Sequence, residues 1–398
     1  MSHSFKHTQR VAIAGAGFSG AVIAHELATA GYPVDVFEER AHVAGNCHTA
    51  RDPETGIMVH TCGPHIFHTS NPQIWNYVRQ FDEFMPFTNR VKAITGGRIY
   101  SLPINLLTIN QFFGETFSPA EARAFLGQFS HPELPPAETF EEQAFRHVGP
   151  QLYQAFLKEY TRKQWGVAPA ELPASLLKRL PVRFDYNDNY YDSPFQGIPR
   201  NGYTHVITNL LTHPHIRLHL EQPFDQTMKA DFTHVFYSGR IDRWFNFCAG
   251  SLDYRTLDFA MERHEGDYQG NPVINYCDDS VPWTRVSEHK HFAPWETHER
   301  TIIYREYSRA CEITDIPYYP LRLANDKSIL TTYINLAKKE EKVTFIGRLG
   351  TYRYLDMHVC IAESIEAARQ FIMSRKHNTD MPAFIENPLG SPASQGKS

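Results

Sequence analysis

The clearest patterning in the chain lies between Arg10 and Asn46. An unbroken apolar run, Val11-Ala12-Ile13-Ala14, gives way to a glycine-rich turn and then to apolar residues at helical spacing. A second run, Val34-Asp35-Val36-Phe37, ends on the acid Glu38, so the unit reads strand, turn, helix, strand. Asn71-Pro72 predicts the next helix start, with Asn as N-cap and Pro at the first helical position. Residues 90–102 read as a hairpin turning at Gly96-Gly97. From there to about Pro181 the periodicity is helical. Ser118-Pro119-Ala120-Glu121 and Thr139-Phe140-Glu141-Glu142 both fit the reciprocal capping box. Leu152, Phe156, Leu157 and Tyr160 share a helical face, and Gly166 ends that helix.

Residues 172–202 are rich in Pro, Asn, Asp and Tyr and predict loops. A helix is expected over 205–211, a strand over 216–220 and a buried strand over 233–238. The β-like runs 271–276 and 301–307 suggest an antiparallel sheet. A last apolar strand, 343–346, precedes Gly347-Arg348-Leu349-Gly350 and an amphipathic helix over about 356–373. The tail beyond His377, rich in Pro, Ser and Gly, is expected to be disordered. No internal repeat interrupts this order.

The turn in the first unit is Gly15-Ala16-Gly17-Phe18-Ser19-Gly20, a complete G-x-G-x-x-G, with Glu38 following at the customary distance. Gly15 permits the tight turn, Gly17 lets a pyrophosphate approach the backbone, and Gly20 lets helix and strand pack closely. The helix behind it points unpaired N–H groups and its positive dipole end at phosphate. Glu38 can accept hydrogen bonds from adenosine ribose hydroxyls. These features predict a bound dinucleotide.

The order of elements says which one. A nucleotide-binding unit opens the chain, sheet and helices are inserted, and strand–glycine-turn–helix units return at the end. A contiguous NAD domain would not read this way, whereas an FAD domain assembled from separate segments would. The C-terminal unit adds a helix N-terminus, with Asp356 as candidate cap, behind the Gly347–Gly350 loop. Such a helix end near flavin N1 and O2 stabilises the reduced anion, and Arg348 can pair with the pyrophosphate. The expected fold is therefore α/β. An FAD-binding Rossmann-like domain is drawn from residues 1–70, 203–245 and 325–377. A helical domain covers 100–182, and an antiparallel sheet domain covers 71–99, 183–202 and 246–324. Residues 378–398 form the disordered tail.

Composition narrows the function classes. Of 398 residues, 42% are hydrophobic and 21% charged, as in an ordinary globular protein, and the length allows two or three domains. A net charge of −5 leaves no basic surplus for a nucleic-acid backbone. No apolar run is long enough to span a bilayer. The apolar stretch after Lys6, His7 and Arg10 is the nucleotide-binding unit itself, so no targeting signal is read. Six cysteines are scattered without a C-x-x-C pair, which suggests reduced thiols and a cytoplasmic location. His65 and His68 form an H-x-x-H, but no carboxylate or cysteine has matching ligand spacing, so no metal is expected. The 20 Tyr, 5 Trp and 27 Phe cluster in part with Asn, Asp and Arg, as a site that stacks rings and binds hydroxyls would require.

Eight motifs then occur in sequence: GAGFSGAVIA (15–24), GPHIFHT (63–69), EYTRKQWG (159–166), LPVRFDYNDNYY (180–191), FQGIPRNGYT (195–204), WTRVSEHKHF (283–292), REYSRACEITDIPYYP (305–320) and GRLGTYRYLDM (347–357). In this order they closely resemble the bacterial UDP-galactopyranose mutase family, from about residue 10 to residue 373. The resemblance implies a cytoplasmic, homodimeric flavoprotein isomerase that serves cell-surface polysaccharide synthesis. It would interconvert UDP-galactopyranose and UDP-galactofuranose with FAD, active when reduced by an external reductant such as NAD(P)H. In the implied chemistry reduced flavin N5 attacks the anomeric carbon as UDP leaves, and the ring opens through an iminium and recloses without net redox.

By the same resemblance, Arg179 and Arg285 hold the diphosphate, and Arg179 lies on the family's mobile loop. Guanidinium groups suit a handle that is also the leaving group. Phe156, Tyr160 and Trp165 receive the uridine, while Tyr190, Tyr319 and Tyr354 bind the diphosphate; Tyr318 is the immediate neighbour of Tyr319. His68 lies near the flavin, where it can tune N5 or relay a proton. The implied cofactor contacts are Gly15, Gly17, Phe18, Ser19, Gly20, Glu38, Asn46, His65, Arg348, Asp356 and Met357. His289 and His291 belong either to the same wall or simply to the sheet. One departure is Ala44-Gly45-Asn46, where relatives often have Gly-Gly-Asn; alanine fits unless that position needs positive φ. Another is Glu39, where some relatives carry a base. Two other classes share parts of this pattern. An amine-oxidase-type flavin oxidoreductase would leave the uridine and diphosphate motifs unexplained. A non-enzymatic prenyl-binding escort would have no use for the intact 347–357 segment.

Overall fold

The structure, a computed structural model, describes residues 10–129, 135–174, 177 and 182–390. Val11–Ala14 (β1) is fully buried along its length and lies in the middle of a five-stranded parallel sheet. A parallel strand covered on both faces has no polar side to show, which is why its sequence lacks alternation. Its turn leads into helix Phe18–Thr29 (α1) and back to strand Val34–Phe37 (β2), which pairs in register with β1 from Val11↔Val34 to Ala14↔Phe37. The remaining strands arrive from far along the chain. Ile216–His219 flanks β2, His234–Tyr237 flanks β1, and Val343–Phe345 closes the far edge. The C-terminal helix Met357–His377 packs against α1 on one face. Helix Ala324–Ala337 brings Leu330, Tyr333 and Ile334 to an apolar cluster with Trp244 and Phe345.

Between these segments the chain builds a seven-stranded sheet. Its spine is the pairing of Tyr254–Glu265 with Arg300–Ala310, antiparallel from Arg255↔Ala310 to Glu265↔Arg300. Arg285–Glu288, Val273–Tyr276, Val91–Thr95 and Arg98–Leu102 follow in order, and Tyr319–Pro320 lies at the other edge. The sheet is not purely antiparallel, because Val273–Tyr276 runs parallel to Val91–Thr95. The Gly96-Gly97 turn has φ of 56° and 70°, a conformation open to glycine and closed to most side chains. A smaller sheet pairs Phe67–Thr69 and Phe84–Pro86 with Phe195–Pro199.

Helical segments lie over one end of the large sheet. Ser118 and Thr139 form the expected capping boxes with Glu121 and Glu142, and Asn71 Oδ1 accepts from the amides of Gln73 and Ile74. The segment from Phe140 is kinked at Gly149, which has φ 75°, ahead of Pro150. A π-helical turn, Tyr153–Lys158, then feeds helix Glu159–Trp165, which Gly166 ends in the left-handed conformation. The π turn changes which face Phe156 and Tyr160 present relative to a regular helix.

The expected disorder after His377 does not hold over residues 378–390. Ala383 C=O accepts from the Phe345 amide at 2.8 Å, Pro382 C=O accepts from Thr344 Oγ1 at 2.7 Å, and Phe384 stacks on Phe345. Met381, Ala383, Phe384 and Ile385 pack against the two cores of the parallel-sheet unit. Averaged composition hid these four apolar residues among Pro, Ser and Gly; residues 391–398 lie outside those described.

Candidate active site

One cavity gathers most of the substrate residues expected from sequence. Phe156, Tyr160 and Trp165 line it from the helical side, Tyr190 from the 182–194 loop, and Arg285, Tyr319 and Tyr354 from the sheet side. Phe156 does double duty. It is 2% exposed and meets the Tyr100 and Phe112 rings at 5.1 and 5.6 Å, so it also belongs to the helical core. Tyr319 faces the cavity, whereas its neighbour Tyr318 is buried near Phe259. Successive residues near a strand point to opposite faces, and that alternation separates the two. Arg179 lies outside the described residues.

Arg285 is held from behind. Its Nε donates to Glu306 Oε2 at 2.7 Å, and the Glu306 side chain is 1% exposed. The two are directly opposite across adjacent antiparallel strands. Burial works against the Arg285 charge, but the Glu306 carboxylate with Tyr319 and Tyr160 outweighs it and raises the pKa well above the usual range. Burial likewise pushes the Tyr160 and Tyr319 phenols up, although Arg285 opposes the shift. The cavity therefore offers a fixed cation and neutral O–H donors, a set suited to an anionic diphosphate. Gln164 and Asn275 also line it; both are more than nine-tenths buried, and Gln164 Oε1 and Asn275 Oδ1 have no donor among the described residues. Buried acceptors of this kind call for a ligand or water to donate to them.

An aromatic series runs inward from the cavity. Trp165 and Tyr319 have centroids 6.2 Å apart, Tyr319 stacks on Tyr354 at 5.5 Å, and the Arg348 guanidinium lies 4.7 Å from the Tyr354 ring. Arg348 donates to Tyr318 C=O at 3.0 Å and Leu355 C=O at 2.7 Å. Two carbonyls and a ring thus fix it beside Tyr354.

His65 and His68 have different partners. His65 Nδ1 lies 2.8 Å from Gly63 C=O, and burial holds its pKa down at about 4, so the ring is neutral near pH 7. His68 stacks flat on Tyr191 at 3.8 Å, with Nδ1 3.1 Å from Ser193 Oγ. Its carboxylate companion comes from the far end of the sequence, since His68, Asp356 and His358 bring ligand-type atoms within 4.8 Å of one another. Asp356 occupies the N-cap position of the last helix, but its side chain makes no capping bond. That corrects the expected cap: the carboxylate joins the His68 group while its C=O accepts from the Val359 and Cys360 amides. His289 packs against Tyr304 and Phe292, and His291 stands by Asp267 and Glu288; neither lines the cavity.

The glycine turn fits a dinucleotide. α1 starts at Gly17 with no capping side chain, which leaves its first amides to a ligand. A Cβ at Gly17 would meet nothing within 4 Å, so that face is open. Glu38 accepts from the Ala16 and Arg40 amides at 2.8 and 3.0 Å at the end of β2. Asn46 Oδ1 accepts from Arg40 Nη2 at 2.9 Å, while Arg40 Nη1 is buried without a partner among the described residues. The unpaired Nη1 makes Arg40 a further candidate cofactor contact, one that the sequence motif does not reveal. Phe18 and Ser19 are buried in the first turn of α1, and Gly347 crosses it closely, since a Cβ there would lie 2.9 Å from Ser19 Oγ. Met357 packs on the core of the parallel-sheet unit at the start of the last helix.

Ala44 does sit at positive φ, +76°, so its methyl is strained where glycine would be at ease. Relief of left-handed strain gains about 1–2 kcal/mol, and loss of a buried methyl costs about 0.8 kcal/mol. Ala44→Gly is therefore expected to leave stability unchanged or raise it by about 1 kcal/mol, measured by urea unfolding with FAD bound. A loss larger than about 1 kcal/mol would show that the methyl's packing outweighs the strain.

A family model described as UDP-galactopyranose mutase matches residues 155–354, and one described as an NAD(P)-binding Rossmann-like domain matches residues 13–81. A protein of Klebsiella pneumoniae named probable UDP-galactopyranose mutase is 52% identical over 378 residues, covering 95% of this chain and 98% of that one. An Escherichia coli dTDP-fucopyranose mutase is 49% identical over 374 residues, covering 92% and 99%. A crystal structure of reduced UDP-galactopyranose mutase matches with a TM-score of 0.71 over 92% of this chain and 96% of that one. At 14% identity that likeness bears on the fold alone.

Proposed function

The chain belongs to the UDP-galactopyranose mutase family, and we propose that it interconverts UDP-galactopyranose and UDP-galactofuranose using reduced FAD. The observation that carries this reading is a cavity that joins an aromatic helix end to Arg285 and, through Tyr319 and Tyr354, to Arg348. Reduced FAD, when bound, supplies a nucleophilic nitrogen for the anomeric carbon. The chain does the rest. Tyr160 and Trp165 stack on the uridine and hold the nucleotide at one end. Arg285, with Arg179, neutralises the diphosphate as it departs and keeps it in place to return. Neutral tyrosine hydroxyls donate to the same oxygens. The His68, Asp356 and His358 group can pass a proton to and from a sugar hydroxyl. Because the sugar is neither oxidised nor reduced overall, an outside reductant such as NAD(P)H is needed only to bring the flavin to its working state.

The test is turnover of UDP-galactofuranose by purified protein with and without dithionite, followed by chromatography. Conversion to the pyranose form only after reduction is the expected result. Since one relative is named for a dTDP-sugar, dTDP-fucofuranose is run beside it. Faster conversion of that compound would reassign the substrate while keeping the chemistry, and no conversion of either by FAD-loaded, reduced protein would end the mutase reading.

A further inference from the structure

The two halves of the cavity come from different parts of the fold. Helix Glu159–Trp165 supplies Tyr160, Gln164 and Trp165, and the hairpin of Val273–Tyr276 and Arg285–Glu288 supplies Asn275 and Arg285. Lys163 belongs to the helix but does not line the cavity. Its Nζ donates to four backbone carbonyls, those of Tyr276 at 2.8 Å, Asp278 at 2.7 Å, Val281 at 3.3 Å and Trp283 at 3.0 Å.

The four carbonyls run from Tyr276, the last residue of the first strand, through the turn of that hairpin to Trp283. An ammonium has only three N–H groups, so the turn wraps the charge more completely than its donor count requires. Burial lowers the Lys163 pKa, opposed by Cys277, Asp278 and Glu159 and assisted by Arg162. The sheet also holds this turn, since the Cys277 amide donates to Ile94 C=O and the Thr284 amide to Glu306 C=O, both at 2.8 Å, and the Arg305 guanidinium lies 5.2 Å from the Trp283 ring; Lys163 is what bonds it to the helix. The Gly96 amide donates to Asp278 Oδ2 at 3.1 Å, and the Tyr276 and Trp283 rings meet edge to face at 5.6 Å. Ser308 Oγ donates to Gln164 C=O at 2.6 Å, which ties the helix end to strand Arg300–Ala310 rather than to this turn.

The bound carbonyls sit next to the working residues. Tyr276 follows Asn275, Trp283 precedes Arg285 by two positions, and Asn275 is paired directly with Arg285 across the strands. We infer that Lys163 is a positioning residue that sets the spacing between the aromatic helix and Arg285, so that one nucleoside diphosphate can reach both. The inference rests on the nucleotide reading of the cavity given above. A ligand that spans both halves suffers from any change in their spacing, and misplacement by about 1 Å can cost a hundredfold in a well-aligned site. A ligand that touches only one half is indifferent to it.

The experiment measures dissociation constants of UDP, uridine and inorganic pyrophosphate for FAD-loaded wild type, Lys163→Met and Lys163→Gln, with the Tm of each. UDP is expected to bind Lys163→Met at least tenfold more weakly, with uridine and pyrophosphate within twofold of wild type. Lys163→Gln, which keeps two donors on a shorter arm, should lie between. If Lys163→Met does not fold, the same comparison on Lys163→Gln decides. Unchanged UDP affinity, or equal weakening of all three ligands, would reduce Lys163 to a general stabiliser and overturn the inference. Failure of the wild type to bind UDP would instead overturn the nucleotide reading itself, and this inference with it.

Discussion

Arg285→Met is expected to lower kcat/KM by about a thousandfold in reduced, FAD-loaded protein, and Arg285→Lys to recover part of that loss. Removing one preorganised donor from developing charge typically costs two to three powers of ten. Arg285 stands at the upper end because it is a full charge on the cavity wall, half-buried, where the proposed diphosphate would lie. Lysine restores the charge but not the planar fork that can face Glu306 and phosphate together. The variant carries a second penalty that must be separated from the first. Without Arg285, the one donor left to the Glu306 carboxylate among the described residues is Thr284 Oγ1, at 3.3 Å, and the group becomes a nearly bare buried carboxylate. Stranding one partner of a buried pair costs about 3–5 kcal/mol. The double variant Arg285→Met/Glu306→Gln removes that stranded charge, so it should regain most of the lost Tm and none of the lost activity. Activity that returned along with stability, or a single-variant loss below tenfold, would show that Arg285 serves the fold rather than the diphosphate.

That pairing also marks where sequence reasoning stopped. β1, the glycine turn, α1 and β2 were legible because a buried parallel strand, a G-x-G-x-x-G and a helix each leave a local pattern. Ser118, Thr139 and Gly166 were legible because caps are chemical choices made within a few residues. Glu306 was not, because nothing near position 306 says that strand register will place it opposite Arg285. The same holds for His68, which is joined by Asp356 and His358 only after the last helix has packed on the parallel-sheet unit. The aromatic residues of 156–165 could be gathered by spacing, but the four carbonyls around Lys163 depend on how a distant hairpin turns. Local chemistry was readable, whereas partnerships fixed by register and docking were not.

The glycine turn offers the sharpest separation of folding from cofactor binding, because its two later glycines should fail in opposite ways. At Gly20 an added Cβ would lie 1.9 Å from the Gly15 carbonyl oxygen and 3.0 Å from the Ile13 side chain. Backbone cannot swing aside as a side-chain tip can, so Gly20→Ala must push α1 off β1. Overpacking of this kind costs about 3 kcal/mol, and it should appear as a lower Tm even in FAD-free protein. At Gly17 the added Cβ meets no protein atom within 4 Å, and φ is −81°, which any residue adopts. Gly17→Ala should therefore cost the FAD-free protein at most about 1 kcal/mol, through weaker capping. The new methyl occupies the space in front of the first amides of α1, where a pyrophosphate would take its charge-assisted hydrogen bonds. Losing the better part of two such bonds, at about 1.5–3 kcal/mol each, should weaken FAD binding by a hundredfold or more, read by flavin fluorescence titration. If Gly17→Ala bound FAD as tightly as wild type, the open face at Gly17 would not be the pyrophosphate seat, and the cofactor would have to be placed elsewhere along the turn. If instead Gly20→Ala folded normally and lost only FAD, the contact between α1 and β1 would be looser than the 1.9 Å approach allows.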